Sequence, residues 1–383
     1  MDISKFQRKF SLKCLVCVSF AILTGILFFG LRPKGYSYSN NVKWISGQPG
    51  IRFGQYGLAY TDPIRVLSKE DGSGGDGFSI EIALKPLNFE QGFSLILALH
   101  AGKDSDQLLV GQWRSSIIAM NGDDYAHKRR TKRIAVNTAS QSQTIIFLTI
   151  TTGKEGTRAY INGDVVATKK DLRLKIPGAG KARLLVANSV YGRQSWKGSI
   201  YGLAFYKYDM PARVVDLHFD GWVKNQKFSF AREYNPFLLY LFDERSGERV
   251  LDHSGGGHDL KIPPKIPILD KKILSSNWRQ LGFDLRSVQD IFLNLIGFIP
   301  LGFMLAATFV KAGSIFERHS ILLTVILCFA VSLAIEIVQA WVPSRSSDSI
   351  DLMLNTLGGF SGAMIYCKGI RFKEKGQRIK DTK

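Results

Sequence analysis

The stretch SILLTVILCFAVSLAIEIVQAWV, residues 320–342, decides the fold class of the C-terminal part of this 383-residue chain. It has about the length that an α-helix needs to cross a bilayer, roughly 20 residues. Within it, Ser332, Glu336 and Gln339 recur at spacings of four and three, so they share one helical face. Because a charged side chain in hydrocarbon costs on the order of 2.5–3.5 kcal/mol, this face should meet polar groups of other helices.

Two further apolar stretches, residues 290–310 and 350–367, are also about long enough to span a membrane. Each begins with polar residues at helical spacings, and Arg345 is the one cation in the loop before the last stretch. In the topology given below, the three polar sets lie at one level and are predicted to form a ligand-binding cup. Its residues are Asp290, Asn294, Ser332, Glu336, Gln339, Arg345, Asp348, Asp351 and Asn355.

Two other interpretations of this cup stay open. The same residues could form a purely structural polar clasp between helices, or a proton or ion path, although the inner halves of these helices carry almost no ionisable residue. Small residues in the same helices are predicted to allow close helix approach. They are Gly297, Gly302, Gly358, Gly359 and Gly362.

An N-terminal apolar stretch, residues 14–31, follows a basic segment, residues 1–13. It ends without a small-residue cleavage site, so an uncleaved transmembrane anchor is predicted. Basic flanks mark the cytoplasmic side of a membrane protein, and the tail at 368–383 is also basic. Four spans would then place both termini inside and residues 32–287 outside. The net charge of +19 is explained by this arrangement, with membrane lipids as partners and no nucleic acid.

Residues 40–265 are predicted to be an all-β domain, followed by a linker at 266–287. Short runs of β-branched and aromatic residues alternate with Gly, Asn and Asp turns, and no helical stretch is expected. Asn162-Gly163 predicts a hairpin. None of the four cysteines (Cys14, Cys17, Cys328 and Cys367) lies in this domain, so it has no disulfide framework.

The strings QDIFLNLIGFIPLGF, SLAIEIVQ and SRSSDSIDLMLNTLGG, in this order, resemble the VanZ-like family of small membrane proteins. The resemblance covers about residues 285 to 367, within a predicted transmembrane domain at 288–367. It implies a bacterial cytoplasmic membrane, envelope glycans, and a theme of teicoplanin resistance. The chain departs from the family through the large domain that precedes the second helix.

The strings FSIEIALKP, TRAYINGDVVAT and SVYGRQSWKGSIYGLAFYKYDM are similar, in order and content, to LamG-like and concanavalin A-like jelly rolls. Trp196, Gly198 and Tyr201 carry much of this similarity. It implies a jelly-roll sandwich that binds a glycan or an envelope protein partner.

Chemistry in this domain is not indicated. Glycoside hydrolases need a pair of suitably spaced carboxylates. Asp243 and Glu244 are adjacent, which on a strand would turn them to opposite faces. Asp243, Asp252 and Asp259 could offer oxygen ligands to Ca²⁺, but turn chemistry explains the same residues. No metal or other cofactor is therefore predicted.

The run HKRRTKR, residues 127–133, is the densest charge run of the domain. It is either a solvated hairpin tip or a contact for anionic headgroups and phosphorylated glycans. The residues of that contact would be Lys128, Arg129, Arg130, Lys132 and Arg133.

Taken together, the sequence predicts an α and β membrane protein, with a jelly-roll ectodomain and a small four-helix transmembrane bundle. The leading hypothesis is an envelope protein that engages a lipid-linked or amphiphilic glycan. A membrane enzyme acting on a lipid-linked glycan, with Glu336 or Asp351 as general base, and a non-catalytic scaffold are the alternatives.

Overall fold

A computed structural model describes most of the chain. The described residues are 10–32, 39–65, 77–87, 92–102, 104–141, 144–177, 181–225, 228–269, 273–274, 285–342, 345 and 347–381. For residues 141, 225, 285–288, 290, 314 and 370–381 only the backbone is described. Most of the predicted N-terminal segment and much of the predicted linker therefore lie outside the described residues. The chain divides into a helical unit, Met1–Lys34 with Lys272–Lys383, and a β-rich unit, Gly35–Lys271.

The described helices belong to both units. In chain order they are α1 (Leu12–Leu31), α2 (Ala212–Asn225), α3 (Leu285–Ala312), α4 (Ser314–Arg318), α5 (Ser320–Ala340) and α6 (Ser349–Asp381).

Among the described residues, three helices are long and apolar enough to cross a membrane: α1, residues Ile291–Ala312 of α3, and α5. The fourth long helix of this unit, α6, is not one of them, since its first turns carry Asp351 and Asn355 and its end is basic. The predicted bundle thus contains three helices of spanning composition, and the spanning role of α6 stays a prediction.

Helices α3 and α6 approach each other through glycine. A Cβ atom at Gly302 would overlap the backbone of Gly359, and one at Gly358 would overlap the carbonyl oxygen of Leu295. Gly362 meets α3 in the same way. The close approach predicted for these glycines is confirmed, whereas the prediction for Gly297 is wrong, because a Cβ there has no described atom within 4 Å. Gly297 lies on an exposed side of α3.

Leucine at Gly302 should force α3 and α6 apart, whereas leucine at Gly297 should be tolerated, because only the first position faces backbone. We expect Gly302→Leu to lower the thermal stability of the full chain in detergent. The measurement is the temperature at which heating removes half of the monodisperse peak in size-exclusion chromatography. Gly297→Leu is the matched control on the same helix. Equal losses in both variants would contradict the glycine contact.

Seventeen strands are found among the described residues. They are β1 (Val42–Trp44), β2 (Ile51–Phe53), β3 (Ala59–Tyr60), β4 (Ile64–Arg65), β5 (Phe78–Pro86), β6 (Phe93–His100), β7 (Leu108–Trp113), β8 (Ser116–Asn121), β9 (Arg133–Asn137), β10 (Ile146–Gly153), β11 (Gly156–Ile161), β12 (Asp164–Lys169), β13 (Lys181–Val186), β14 (Gly198–Tyr206), β15 (Leu238–Tyr240), β16 (Arg249–Val250) and β17 (Leu260–Lys261).

These strands form two antiparallel sheets. One runs β1-β2-β14-β5-β10-β11-β12, with β15 beside β14. The other runs β16-β17-β3-β13-β6-β7-β8-β9, with β4 beside β13. Strand β5 faces two ways: Ile80, Ile82 and Leu84 enter the main core, while Ala83 joins a second cluster on the opposite face. The predicted antiparallel sandwich is confirmed.

The predicted hairpin at Asn162-Gly163 is confirmed. Both residues have positive φ, 53° and 86°, and Ile161 pairs with Asp164 across the turn. A type I′ turn needs these angles at both central positions, which is why Asn-Gly is favoured there.

The expectation of a domain without helices is wrong. Helix α2 and a 3₁₀ segment, Phe228–Tyr234, cover the outer face of the first sheet. In α2, the buried residues Val215, His218 and Trp222 follow helical spacing. That pattern was present in the sequence, but a histidine in the middle of it weakens the apolar signal.

The histidine is held by a buried carboxylate. His218 and Glu81 of β5 are both 0% exposed, and the Nδ1 atom of His218 lies 2.9 Å from Oε2 of Glu81. The Tyr206 hydroxyl donates to the same oxygen over 3.0 Å. Burial, and next the Glu81 charge, raise the pKa of Tyr206 well above its ordinary value, so the phenol stays a donor. This network joins α2 to the sheet.

Removing His218 alone should cost more than removing both His218 and Glu81. His218→Leu leaves the buried Glu81 without its main partner, a loss of about 3–5 kcal/mol in the free energy of unfolding. Glu81→Leu with His218→Leu should lose less than His218→Leu alone. The midpoint of urea unfolding, followed by tryptophan fluorescence of the full chain, measures this order. A double variant as unstable as the single one would show that the pair does not act as a unit.

Candidate functional site

The polar side chains that the sequence singles out in α5 are all buried in the helical unit. Ser332 is 0%, Glu336 1% and Gln339 8% exposed. Since three helices of this unit have the composition of membrane spans, each of these groups needs a partner inside the unit. Those partners come from α1 and α6.

Glu336 fixes the start of α6. Its Oε2 accepts the backbone N–H of Asp348 over 2.7 Å. Asp348 directly precedes α6, and its Oδ1 accepts the N–H of Ile350 over 2.9 Å. That is the bond of a helix N-cap, which satisfies an amide that has no partner inside the helix. Asp348 therefore has a local structural role.

Two further contacts tie α6 to its neighbours. Asn294 of α3 donates through Nδ2 to Oδ1 of Asp351 over 2.5 Å. Asn355 donates through Nδ2 to Oγ of Ser332 over 3.0 Å. The other amide atom of Asn355, Oδ1, is buried and has no hydrogen-bond partner in the described part of the chain.

Gln339 and Arg345 hold the end of α1. The Nε2 atom of Gln339 donates to the carbonyl oxygen of Gly30 over 2.7 Å. Arg345 donates through one guanidinium nitrogen to the carbonyls of Arg32, at 3.0 Å, and Phe29, at 3.5 Å. Carbonyls in the last turn of a helix lack partners and carry partial negative charge, so a cation stabilises them.

The structure thus gives eight of the nine predicted residues polar contacts within the helical unit, and we call these eight the polar cluster. Its members are Asn294, Ser332, Glu336, Gln339, Arg345, Asp348, Asp351 and Asn355. The side chain of Asp290 lies outside the described residues. The cluster holds three carboxylates against one guanidinium, so it is rich in hydrogen-bond acceptors.

An apolar groove of about 400 Å³ opens between α5 and α6 beside the polar cluster. It is lined by Phe329, Ser349, Leu352, Met353, Thr356, Leu357 and Phe360. At its start, the Oγ atom of Ser349 is buried without a partner among the described residues. This groove was not predicted from the sequence, although the spacing of its α6 residues (349, 352, 353, 356, 357 and 360) is a helical stripe.

In the β-rich unit, the predicted anion-contact run is partly neutralised. Arg129 pairs with Asp123, Arg133 lies 3.7 Å from Asp124, and Lys132 lies 3.0 Å from Asp171. Lys128 and Arg130 are exposed. The anion contact itself stays a prediction.

The residues proposed for Ca²⁺ do not come together as a set. Both carboxylate oxygens of Asp252 accept backbone amides, and Asp259 accepts the amide of Asp252, as turn chemistry predicts. Asp243 instead lies near Glu244 and His253. The expectation that Asp243 and Glu244 point apart is wrong, because positive φ at Phe242 (53°) takes this segment out of strand geometry.

This trio is poorly suited to a metal. Arg232 donates to Nδ1 of His253 over 2.8 Å, which leaves the ring proton of the neutral imidazole on Nε2. Nε2 faces Asp243 at 3.6 Å and would have to lose that proton to bind a cation.

The Ser332–Asn355 contact can be tested for its structural role. Ser332→Ala leaves the buried Asn355 amide without its acceptor, at a cost of about 1–3 kcal/mol. Ser361→Ala is the control, since Ser361 is half-buried and its described hydrogen bond stays within α6, to the carbonyl of Leu357. We expect only Ser332→Ala to lower the thermal stability of the full chain in detergent. Equal stability of the two variants would remove the contact as a structural element.

Comparison with solved structures finds distant similarity. The chain is similar to the binding domain of botulinum neurotoxin serotype D/C, at 14% identity and a TM-score of 0.35 over 48% of this chain and 46% of that one. It is also similar to a sialidase of Trypanosoma rangeli, at 12% identity and a TM-score of 0.36 over 47% of this chain and 28% of the sialidase. The matched part thus spans less than half of either structure. The comparison with curated proteins found no match.

The VanZ/LLP1 family model matches residues 238–372. The match begins in the β-rich unit, at the first residue of β15, and continues through the polar cluster into α6. With the three apolar helices, it supports a membrane protein. The C-terminal region of this chain, residues 238–372, is therefore VanZ-like.

Proposed function

We propose that this protein is a cell-envelope membrane protein whose helical unit binds a glycolipid. The polar cluster would accept hydrogen bonds from the sugar, and the apolar groove would hold the lipid chain. The observation that carries the proposal is that the polar cluster and the apolar groove both use residues at the start of α6. There Asp348 and Asp351 belong to the cluster while their sequence neighbours Ser349 and Leu352 line the groove.

The acidic side chains of the polar cluster limit which lipid headgroups it can bind. Glu336, Asp348 and Asp351 offer carboxylate oxygens, which accept hydrogen bonds from hydroxyl or ammonium groups. A phosphate placed among them would face three acidic side chains, and Arg345 already binds the carbonyls of α1. A neutral or amine-bearing sugar therefore suits the cluster better than a lipid phosphate.

The topology belongs to the same proposal. With both termini in the cytoplasm and four spans, residues 32–287 face outward. The helix ends that this topology places outside are the ends of α1 and α5 and the start of α6. Hydrogen bonds of Gln339, Arg345 and Glu336 connect these same helix ends. This supports placing the ends at one depth in the membrane. The β-rich unit would then present envelope polymer or a protein partner above the membrane.

A second candidate is a scaffold in which the polar cluster is only a clasp. It is favoured by the hydrogen bonds themselves, since most cluster side chains have partners within the unit. A membrane enzyme is less well supported. Glu336, the candidate general base, is 1% exposed and already accepts an amide.

Filling the groove should separate these functions. Met353→Trp places a large ring where the lipid chain would lie, while Ile365→Trp adds the same ring outside the groove on α6. Both positions are about equally exposed, at 54% and 53%. In native mass spectrometry of the full chain, we expect diglucosyl diacylglycerol to be retained over phosphatidylglycerol. Met353→Trp should reduce this retention at least fivefold, and Ile365→Trp should not.

Asp351→Asn tests the polar half of the same site. Asp351 is half-buried, unlike Glu336, and an amide oxygen at this position can still accept the Asn294 Nδ2 bond, so folding should be kept while acceptor strength towards the sugar falls. Retention of the glycolipid should drop without a fall in thermal stability. If no variant changes lipid retention and Asp351→Asn lowers only stability, the polar cluster is a clasp and the proposed site is refuted.

A further inference from the structure

Two basic segments that are distant in sequence meet in the β-rich unit. The first is HKRRTKR, residues 127–133, and the second is KKDLRLK, residues 169–175. They are joined by Lys132, whose Nζ lies 3.0 Å from Oδ2 of Asp171 and 3.2 Å from its carbonyl oxygen. The sequence alone showed only the first segment as a charge run.

The second segment is fixed in place by the sandwich. Thr157 donates through Oγ1 to the carbonyl of Leu172 over 2.7 Å, and the N–H of Leu174 donates to Oγ1 of Thr152 over 3.0 Å. Leu172 and Leu174 enter the core, so Arg173 and Lys175 between and after them are exposed. Alternation along an extended backbone thus presents the cations on one side.

The first segment is fixed by two buried carboxylates. Oδ2 of Asp124 accepts the N–H of Thr131 over 3.0 Å, and Asp123 pairs with Arg129. Burial alone would raise the pKa of Asp124, but these amide bonds and the Arg129 charge lower it below its ordinary value. These contacts hold the loop in place, and Lys128, Arg130 and Lys132 are exposed.

Together the two segments form what we call the composite basic face. Its eight exposed cations are Lys128, Arg129, Arg130, Lys132, Lys169, Lys170, Arg173 and Lys175, whereas the side chain of Arg133 is 13% exposed and lies against Asp124. Carboxylates that pair with basic residues of the two segments include Asp123, Asp124 and Asp171. The face keeps a clear positive excess, which attracts repeating negative charge and should do so most strongly at low ionic strength.

We propose that the composite basic face binds a linear anionic envelope polymer, a chain of phosphate- or carboxylate-bearing repeats. Neither segment carries an exposed large apolar side chain, but Val165 and Val166 of β12, just before the second segment, are exposed, so a membrane surface is tested as the other outcome below. The inference goes beyond the glycolipid site, which lies in the helical unit. Failure of one leaves the other unaffected.

The test uses the full chain in a non-ionic amphipol, with fluorescent long-chain inorganic polyphosphate as the probe. Lys169→Gln, Lys170→Gln, Arg173→Gln and Lys175→Gln together form the face variant. A matched control removes the same charge from exposed positions elsewhere: Lys43→Gln, Arg52→Gln, Arg213→Gln and Lys224→Gln. The face variant should bind polyphosphate about tenfold or more weakly, and the control within threefold of wild type, with all affinities falling as salt rises.

The same samples are then sedimented with phosphatidylglycerol vesicles. The face variant and its control should differ little in this assay if a polymer is the partner. Equal weakening of polyphosphate binding in the two variants, or no binding by wild type, would overturn the proposal. A face variant that loses vesicle binding but keeps polyphosphate binding would also overturn it, in favour of the membrane surface.

Discussion

The hydrogen bond from the Asp348 amide to Glu336 is the contact on which the helical unit depends. It closes the turn between α5 and α6, and its acceptor, Glu336, is 1% exposed. Once it is made, Asp348 can cap α6, and the next turns set Asp351 towards α3 and Asn355 towards α5. The same register turns the other side of α6 towards the apolar groove.

A buried carboxylate plays a comparable part in the β-rich unit. Glu81 lies in the middle of β5, where the alternation of side chains turns it towards α2, which covers this face of the sheet. His218 and Tyr206 meet it there, so the covering helix has one position in which its charge is satisfied. In both units a costly acidic group thus selects a single arrangement of the elements around it.

The polar cluster could be predicted because the sequence shows acidic side chains inside apolar helices, where leaving them without a partner would cost free energy. Glu336 and Asp351 within apolar stretches had to meet partners, and their spacing indicated which face would do so. The identity of the partners was not readable: Gln339 and Arg345 bind backbone carbonyls of α1, and backbone acceptors leave no residue signature. The prediction of close helix approach at Gly297 was wrong for a related reason, because composition does not show which side of α3 faces α6. Strands and the Asn162-Gly163 turn were predictable from local chemistry, whereas α2 depends on a buried Glu–His contact between distant residues.

The glycine contact between α3 and α6 also determines which motions this unit permits. With backbone against backbone at Gly302, Gly358 and Gly362, no layer of side chains can change rotamer to let the two helices slide. We therefore expect α3 and α6 to move together as one rigid pair. The groove, however, has Phe329 of α5 on its other wall. A lipid entering this groove would therefore displace side chains such as Phe329 rather than separate α3 from α6.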